Sequence, residues 1–192
     1  MKRVTWVERQ TGDIFLAAVP SDAGWAIKHA ELMLHPNAPK DFVPSHAGII
    51  GFANTVVEAW MNLSGEDSVA AINPVSKYLG FEGYLELWRP VAFEAAALTS
   101  YIRDKGPEHY GALNLLGFEY VALVKDITGR NVDNPIETSE VCSQGALDYC
   151  GNYLAPLISP QEHWVFIAAH DDLLLRDCDP LELRMMFLAH QT

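Results

Sequence analysis

A thiol, an imidazole and a carboxylate make up the reactive set that stands out in this chain: Cys142, His46 and Glu58. A thiol attacks a carbonyl as its thiolate, so it needs a base within reach, and the base needs a third polar group to fix its ring orientation and tautomer. His46 lies in Ser45-His46-Ala47-Gly48-Ile49-Ile50, Glu58 follows, and Cys142 begins Cys142-Ser143-Gln144-Gly145. The order is base, orienting acid, nucleophile.

The elements that must position these groups are a hairpin and a helix start. His46–Phe52 and Thr55–Met61 read as two antiparallel strands joined by a short turn near Ala53-Asn54. Opposed residues in a hairpin keep a constant index sum, so a turn centred near residue 52 sets position 46 opposite position 58, with Cβ atoms about 5 Å apart. A slip of one residue would put the two side chains on opposite faces. Cys142 falls in the first turn of a helix capped by Thr138 or Ser139. Free N–H groups and partial positive charge there favour a thiolate and lower the thiol pKa from its usual value near 8.5. The same N–H groups, with Ser143 adjacent, provide a candidate oxyanion site.

Around these, Gly12-Asp13 leads into a strand, Ile14–Val19, ended by Pro20. A helix capped by Ser21 or Asp22 carries Trp25, His29, Leu32 and Met33 at helical spacing until Pro36, and residues 36–45 form a loop. Gly83–Arg89 alternates as a half-buried strand, residues 92–105 form a helix stopped at Gly106-Pro107, and Tyr110-Gly111 opens a further segment. A polar loop spans Asp126–Pro135, Trp164–Ala169 is a strand, and Asp179 caps a helix with Pro180 in its first position. Mixed strands and helices without a repeat predict an α+β fold, an antiparallel sheet packed against helices, with residues 1–192 as one domain.

Composition bounds the function. The chain has 192 residues, 49% hydrophobic with five tryptophans, enough to bury roughly 70% of its unfolded surface. A formal net charge of −12 with no Lys/Arg cluster argues against nucleic acid and anionic lipid as partners. Glu8, Arg9, Gln10 and Asp13 interrupt any secretory signal, and no apolar run approaches the roughly 20 residues of a membrane span, so the expectation is a soluble chain without a transmembrane segment. Cys142, Cys150 and Cys178 contain no CxxC pair, which points to a reducing compartment: cytoplasmic, or virus-encoded with later release or assembly. Cys150 lies about 12 Å along the helix axis from Cys142, too far to share its site, and reads with Cys178 as structural. His163, His170, Asp171 and Asp172 lack an HExxH pattern or a second ligand cluster, so neither a metal nor a cofactor is expected.

Gly12-Asp13-Ile14-Phe15, Ser45-His46-Ala47-Gly48-Ile49, Val56-Val57-Glu58-Ala59, Leu87-Trp88-Arg89 and Cys142-Ser143 occur in an order that resembles the circularly permuted NlpC-type papain-like amidohydrolases, the YiiX-like group, across roughly residues 12–155. In that group histidine precedes glutamate and cysteine comes last. The resemblance implies a papain-like fold with Cys142 as nucleophile, His46 as base, Glu58 as the orienting residue and Tyr110 near the cleft. Two positions depart from the group: Val141 stands where relatives often carry tyrosine, and Gln144 where they often carry glutamate.

The expected activity is cleavage of an amide or peptide bond through a thioester on Cys142, with peptidoglycan peptides as the substrate that the resemblance implies. A lipid amide or ester hydrolase or acyltransferase on the same three residues is a second reading. The third is an inactive binding or structural module, in which Cys142 is a small core residue, His46 a satisfied structural histidine and Glu58 a hydrogen-bonded edge residue.

Overall fold

The computed structural model describes residues 1–60, 68–80, 84–108, 124, 127–130, 142–157 and 179–191. Its centre is a six-stranded sheet made of β1 (Lys2–Val4), β2 (Ile14–Ala17), β3 (His46–Ile50), β4 (Thr55–Trp60), β5 (Ser68–Pro74) and β6 (Leu85–Arg89), in the spatial order β1-β6-β2-β3-β4-β5. Every pairing is antiparallel. Helices α1 (Asp22–Leu34), α2 (Ala95–Lys105), α3 (Cys142–Asp148) and α4 (Pro180–Ala189) complete the α+β arrangement; α3 continues through a π-helical segment at Tyr149–Leu154.

Both faces of the sheet are covered. On one, Ile14, Leu16, Ala47, Ile49, Val57 and Trp88 pack against Leu98 and Tyr101 of α2, Ala146 and Leu147 of α3, and Leu183 and Phe187 of α4. On the other, Val4, Phe15, Ile50, Val56, Leu87 and Tyr78 form a second cluster. Successive side chains of a strand point to opposite faces, so His46 and Gly48 belong to the second face while Ala47 and Ile49 face the helices. This double cover corrects the reading of Gly83–Arg89 as half-buried: β6 begins at Leu85, and Glu86, Leu87 and Trp88 are all buried.

Two ion pairs on buried carboxylates tie distant segments to the sheet. Arg184 of α4, 1% exposed, forks onto Glu86 of β6 with both N···O distances 2.9 Å. Arg89 forks onto buried Asp13 at 2.8 and 2.9 Å. The second pair joins two of the sequence fragments that carry the family resemblance, Gly12-Asp13 and Leu87-Trp88-Arg89. Gly12 is required at its position: φ is +90°, and a Cβ there would lie 2.2 Å from the Phe93 ring.

Helix ends follow the expected chemistry. The Ser21 hydroxyl caps α1 by accepting from the Gly24 N–H at 3.0 Å, and Asp179 caps α4 by accepting from the Glu182 N–H at 2.7 Å. The apolar periodicity of α1 located the helix but not its buried side. Trp25 is 68% exposed and stacks on His29, whereas Ala30 and Glu31 are buried. Two strands, β1 and β5, have no counterpart in the sequence reading. Thr138 and Ser139, Tyr110 and the strand expected at Trp164–Ala169 lie outside the described residues.

Candidate active site

The β3–β4 hairpin turns at Ala53 and Asn54, both left-handed with φ of 50° and 61°, and closes with the Thr55 N–H donating to the Phe52 carbonyl at 3.1 Å. Positive φ at both central residues is the primed turn geometry whose twist suits a hairpin. The pairs are Ile50↔Val56, Ile49↔Val57 and Gly48↔Glu58, so the hairpin is centred on residue 53. This corrects the expected register: position 58 faces Gly48 and not His46. The shift is two positions, which preserves the face. His46 and Glu58 are therefore diagonal neighbours, within reach of long side chains. His46 Nε2 lies 2.7 Å from Glu58 Oε2.

Glu58 is the most densely bonded side chain of the site. Its carboxylate has no solvent exposure, and each oxygen has two partners. Oε2 meets His46 and accepts from the Tyr78 hydroxyl; Oε1 accepts from Asn73 Nδ2 at 3.0 Å and Lys77 Nζ at 2.8 Å. Burial works against the anion, but His46 and Lys77 outweigh it and hold the carboxyl at about 2. Tyr78 is pushed well above the usual phenol range by burial and by the Glu58 charge, so it stays a donor. Phe15 packs between the two rings, 4.9 Å from Tyr78 and 6.0 Å from His46.

Asn73, Lys77 and Tyr78 escaped the sequence reading. They reach Glu58 through the β4–β5 pairing, which aligns Val56 with Asn73 and Glu58 with Ala71. The available signal was the segment Ile72-Asn73-Pro74-Val75-Ser76-Lys77-Tyr78, a proline-ended strand followed by a cation and a phenol, but nothing local in it names Glu58.

Cys142 is the first described residue of α3 and is 5% exposed. Its sulfur hydrogen-bonds His46 and receives the backbone N–H groups of Ala47 and Ser143. The Ala47 N–H is available because the described β3–β4 pairing ends at Gly48↔Glu58. Burial pushes the thiol up, but the His46 charge and these hydrogen bonds outweigh it and the thiol is lowered overall. On His46, burial opposes the charged ring, yet Cys142 and Glu58 together raise it to about 10. With Nε2 on Glu58, Nδ1 is the ring nitrogen left to serve the sulfur. The two shifts favour a thiolate–imidazolium pair on a fixed carboxylate.

The structure thus brings Cys142, His46, Glu58 and the backbone of Ser143 together. The Ser143 side chain is itself buried, so its contribution at the sulfur is the N–H group. Tyr110 and Val141 lie outside the described residues, as do Cys178, His163, His170, Asp171 and Asp172. Cys150 is buried and pushed up to about 12 by that burial, a protonated core thiol. Comparison of the chain with protein-family models, curated proteins and solved structures found no match.

Proposed function

We propose that this protein is a cysteine hydrolase that cleaves an amide bond through a thioester on Cys142. The observation that carries the reading is the contact of the Cys142 sulfur with His46 while His46 Nε2 sits 2.7 Å from a Glu58 carboxylate that is itself fully bonded. A buried structural cysteine needs no charged histidine, and Cys150 shows what such a thiol looks like in this fold.

In the first half-reaction the Cys142 thiolate adds to the carbonyl carbon, and the carbonyl π electrons move to oxygen. The oxyanion then re-forms the carbonyl as the C–N bond breaks, and His46 gives its proton to the departing nitrogen. The amine leaves and a thioester remains. In the second half-reaction neutral His46 takes a proton from water, hydroxide adds to the thioester, and the C–S bond breaks to release the acid and the thiolate. Glu58 keeps the ring oriented and stabilises the imidazolium. The Ser143 N–H, which acts on the sulfur as the Ala47 N–H does, is a described backbone donor that can serve the oxyanion.

The substrate class rests on the resemblance to the permuted NlpC-type amidohydrolases, which points to peptide amides of peptidoglycan. The test is incubation of the protein and Cys142→Ala with purified muropeptides and, in parallel, with acyl-ester lipids. Muropeptide cleavage that disappears in Cys142→Ala, with a thioester adduct on Cys142 by intact mass, supports the proposal. Cleavage of the acyl esters alone transfers the same three residues to lipid chemistry. No turnover and no adduct on either panel would remove the hydrolase reading.

A further inference from the structure

We propose that His35, Asp179 and Glu182, together with buried Glu31, form a binding site for one first-row divalent cation, with Zn2+ the best match. None of these residues belongs to a local metal-ligand motif in the sequence. They come from the end of α1 and the start of α4, and the fold alone brings them together. One ligand atom from each of His35, Asp179 and Glu182 lies within 4.8 Å of the others, a spacing that closes on a common centre at about 2.0–2.2 Å with small side-chain movements.

Glu31 is the independent observation. It is 2% exposed, and neither of its oxygens has a hydrogen-bond partner of normal geometry among the described residues. It stands one helical turn before His35 on α1, its foremost charged neighbour is Asp179, and the Leu181 N–H in the first turn of α4 acts on it. It is therefore directed at the same helix start. Asp179 already pairs with His35 and caps α4, so the group short of a partner among the described residues is Glu31, and a buried carboxyl that makes no hydrogen bond is costly. A dication held by the His35, Asp179 and Glu182 group supplies that partner.

The helix cap and the metal site are compatible. Asp179 Oδ1 is occupied as the cap by the Glu182 N–H at 2.7 Å, while Oδ2 faces His35 Nε2 at 2.7 Å. A cation that replaces the proton between Oδ2 and Nε2 leaves the cap intact. One imidazole nitrogen among carboxylate oxygens suits zinc and its first-row neighbours better than calcium or magnesium, which prefer all-oxygen shells. The His35 side chain is 24% exposed and gives the ion a way in. Bound there, the cation clamps the end of α1 to the start of α4.

The proposal does not rest on the hydrolase reading, but Glu31 also feels the Cys142 charge, so the test must keep zinc away from the Cys142–His46 pair. The full chain carrying Cys142→Ala is stripped with chelator and titrated calorimetrically with ZnCl2, alone and with Glu31→Gln, His35→Gln or Asp179→Asn added; the last keeps an oxygen for the cap. Binding of one equivalent, weakened at least tenfold by each added substitution, is expected. Co2+ in the Cys142→Ala protein should give d–d bands without a sulfur-to-metal band, a readout that needs no ligand variant. Absence of saturable zinc binding overturns the proposal, as does binding indifferent to Glu31→Gln and His35→Gln, or a cobalt spectrum with a sulfur band.

Discussion

Glu58 reaches His46 on the diagonal of the β3–β4 ladder, past Gly48, its direct partner across the strands. A glycine at that rung removes the side chain that would otherwise stand between the carboxylate and the ring. The space is already taken from the other side: a Cβ on Gly48 would lie 2.6 Å from the Phe15 ring and 2.9 Å from the Val57 carbonyl oxygen.

Gly48→Ala should accordingly destabilise the protein by about 1–3 kcal/mol, the cost of overpacking a filled site. Phe15 or the β4 backbone must move, so the His46–Glu58 contact loosens as well. Denaturant unfolding measures the first effect, and the alkylation profile of Cys142 the second. An unchanged midpoint would show that the ring yields without cost.

Cys142 should react with iodoacetamide below pH 7 far faster than Cys150, because the first thiol is lowered and the second is pushed up to about 12. Mass spectrometry of each cysteine against pH reads this directly. In His46→Ala the Cys142 profile should move to the alkaline range of an ordinary or buried thiol. Identical profiles in parent and variant would disconnect the pair.

The imidazolium should be visible by NMR. His46 is raised to about 10 in part by Cys142, so Cys142→Ala should bring its titration down toward neutrality while Glu58 still supports it. A raised folded pKa stabilises the fold fully below the usual value of 6.5 and loses that contribution as pH rises through about 10. The alkaline loss of stability should therefore begin at lower pH in Cys142→Ala.

Glu58→Gln addresses the acid side. The Glu58 carboxyl is depressed from 4.5 to about 2, so its contribution is complete above 4.5 and lost as pH falls through about 2. A shift of that size corresponds to on the order of 3 kcal/mol. Unfolding free energies between these pH values should fall more steeply for the parent than for the variant. If the hydrolase reading holds, kcat should drop by about 10²–10⁴, as expected when a histidine loses its orienting anion.

Lys77→Met separates positioning from packing. It takes away one of the two charged donors to the buried carboxylate, a loss of about 1–3 kcal/mol, and weakens the anion that supports the imidazolium beside the thiol. The Cys142 alkylation profile should shift to higher pH, and Lys77→Arg should restore it in part. A stability loss with an unmoved profile would make Lys77 a purely structural partner.

The sequence by itself determined much of the reactive set. Residue type and chain order identified Cys142, His46 and Glu58, because thiolate chemistry demands those groups, and the alternation of the hairpin put His46 and Glu58 on one face. Capping chemistry is local, and it placed the start of α1 at Ser21 or Asp22 and that of α4 at Asp179. Tertiary structure decided what depends on partners distant in the chain. The left-handed turn at Ala53 and Asn54, together with the Gly51 N–H that bonds the Thr55 carbonyl and leaves Phe52 as an extra residue, set the register that pairs Glu58 with Gly48, a choice that local propensity leaves open by a residue or two. The β4–β5 pairing delivered Asn73, Lys77 and Tyr78 to Glu58, and packing of helices on one face with an apolar cluster on the other buried the centre of β6, Glu86 to Trp88, on both sides. The meeting of Glu31 and His35 with Asp179 and Glu182 is of the same kind: side-chain chemistry is written residue by residue, but proximity between helices far apart in the chain exists only once both have packed against the same core.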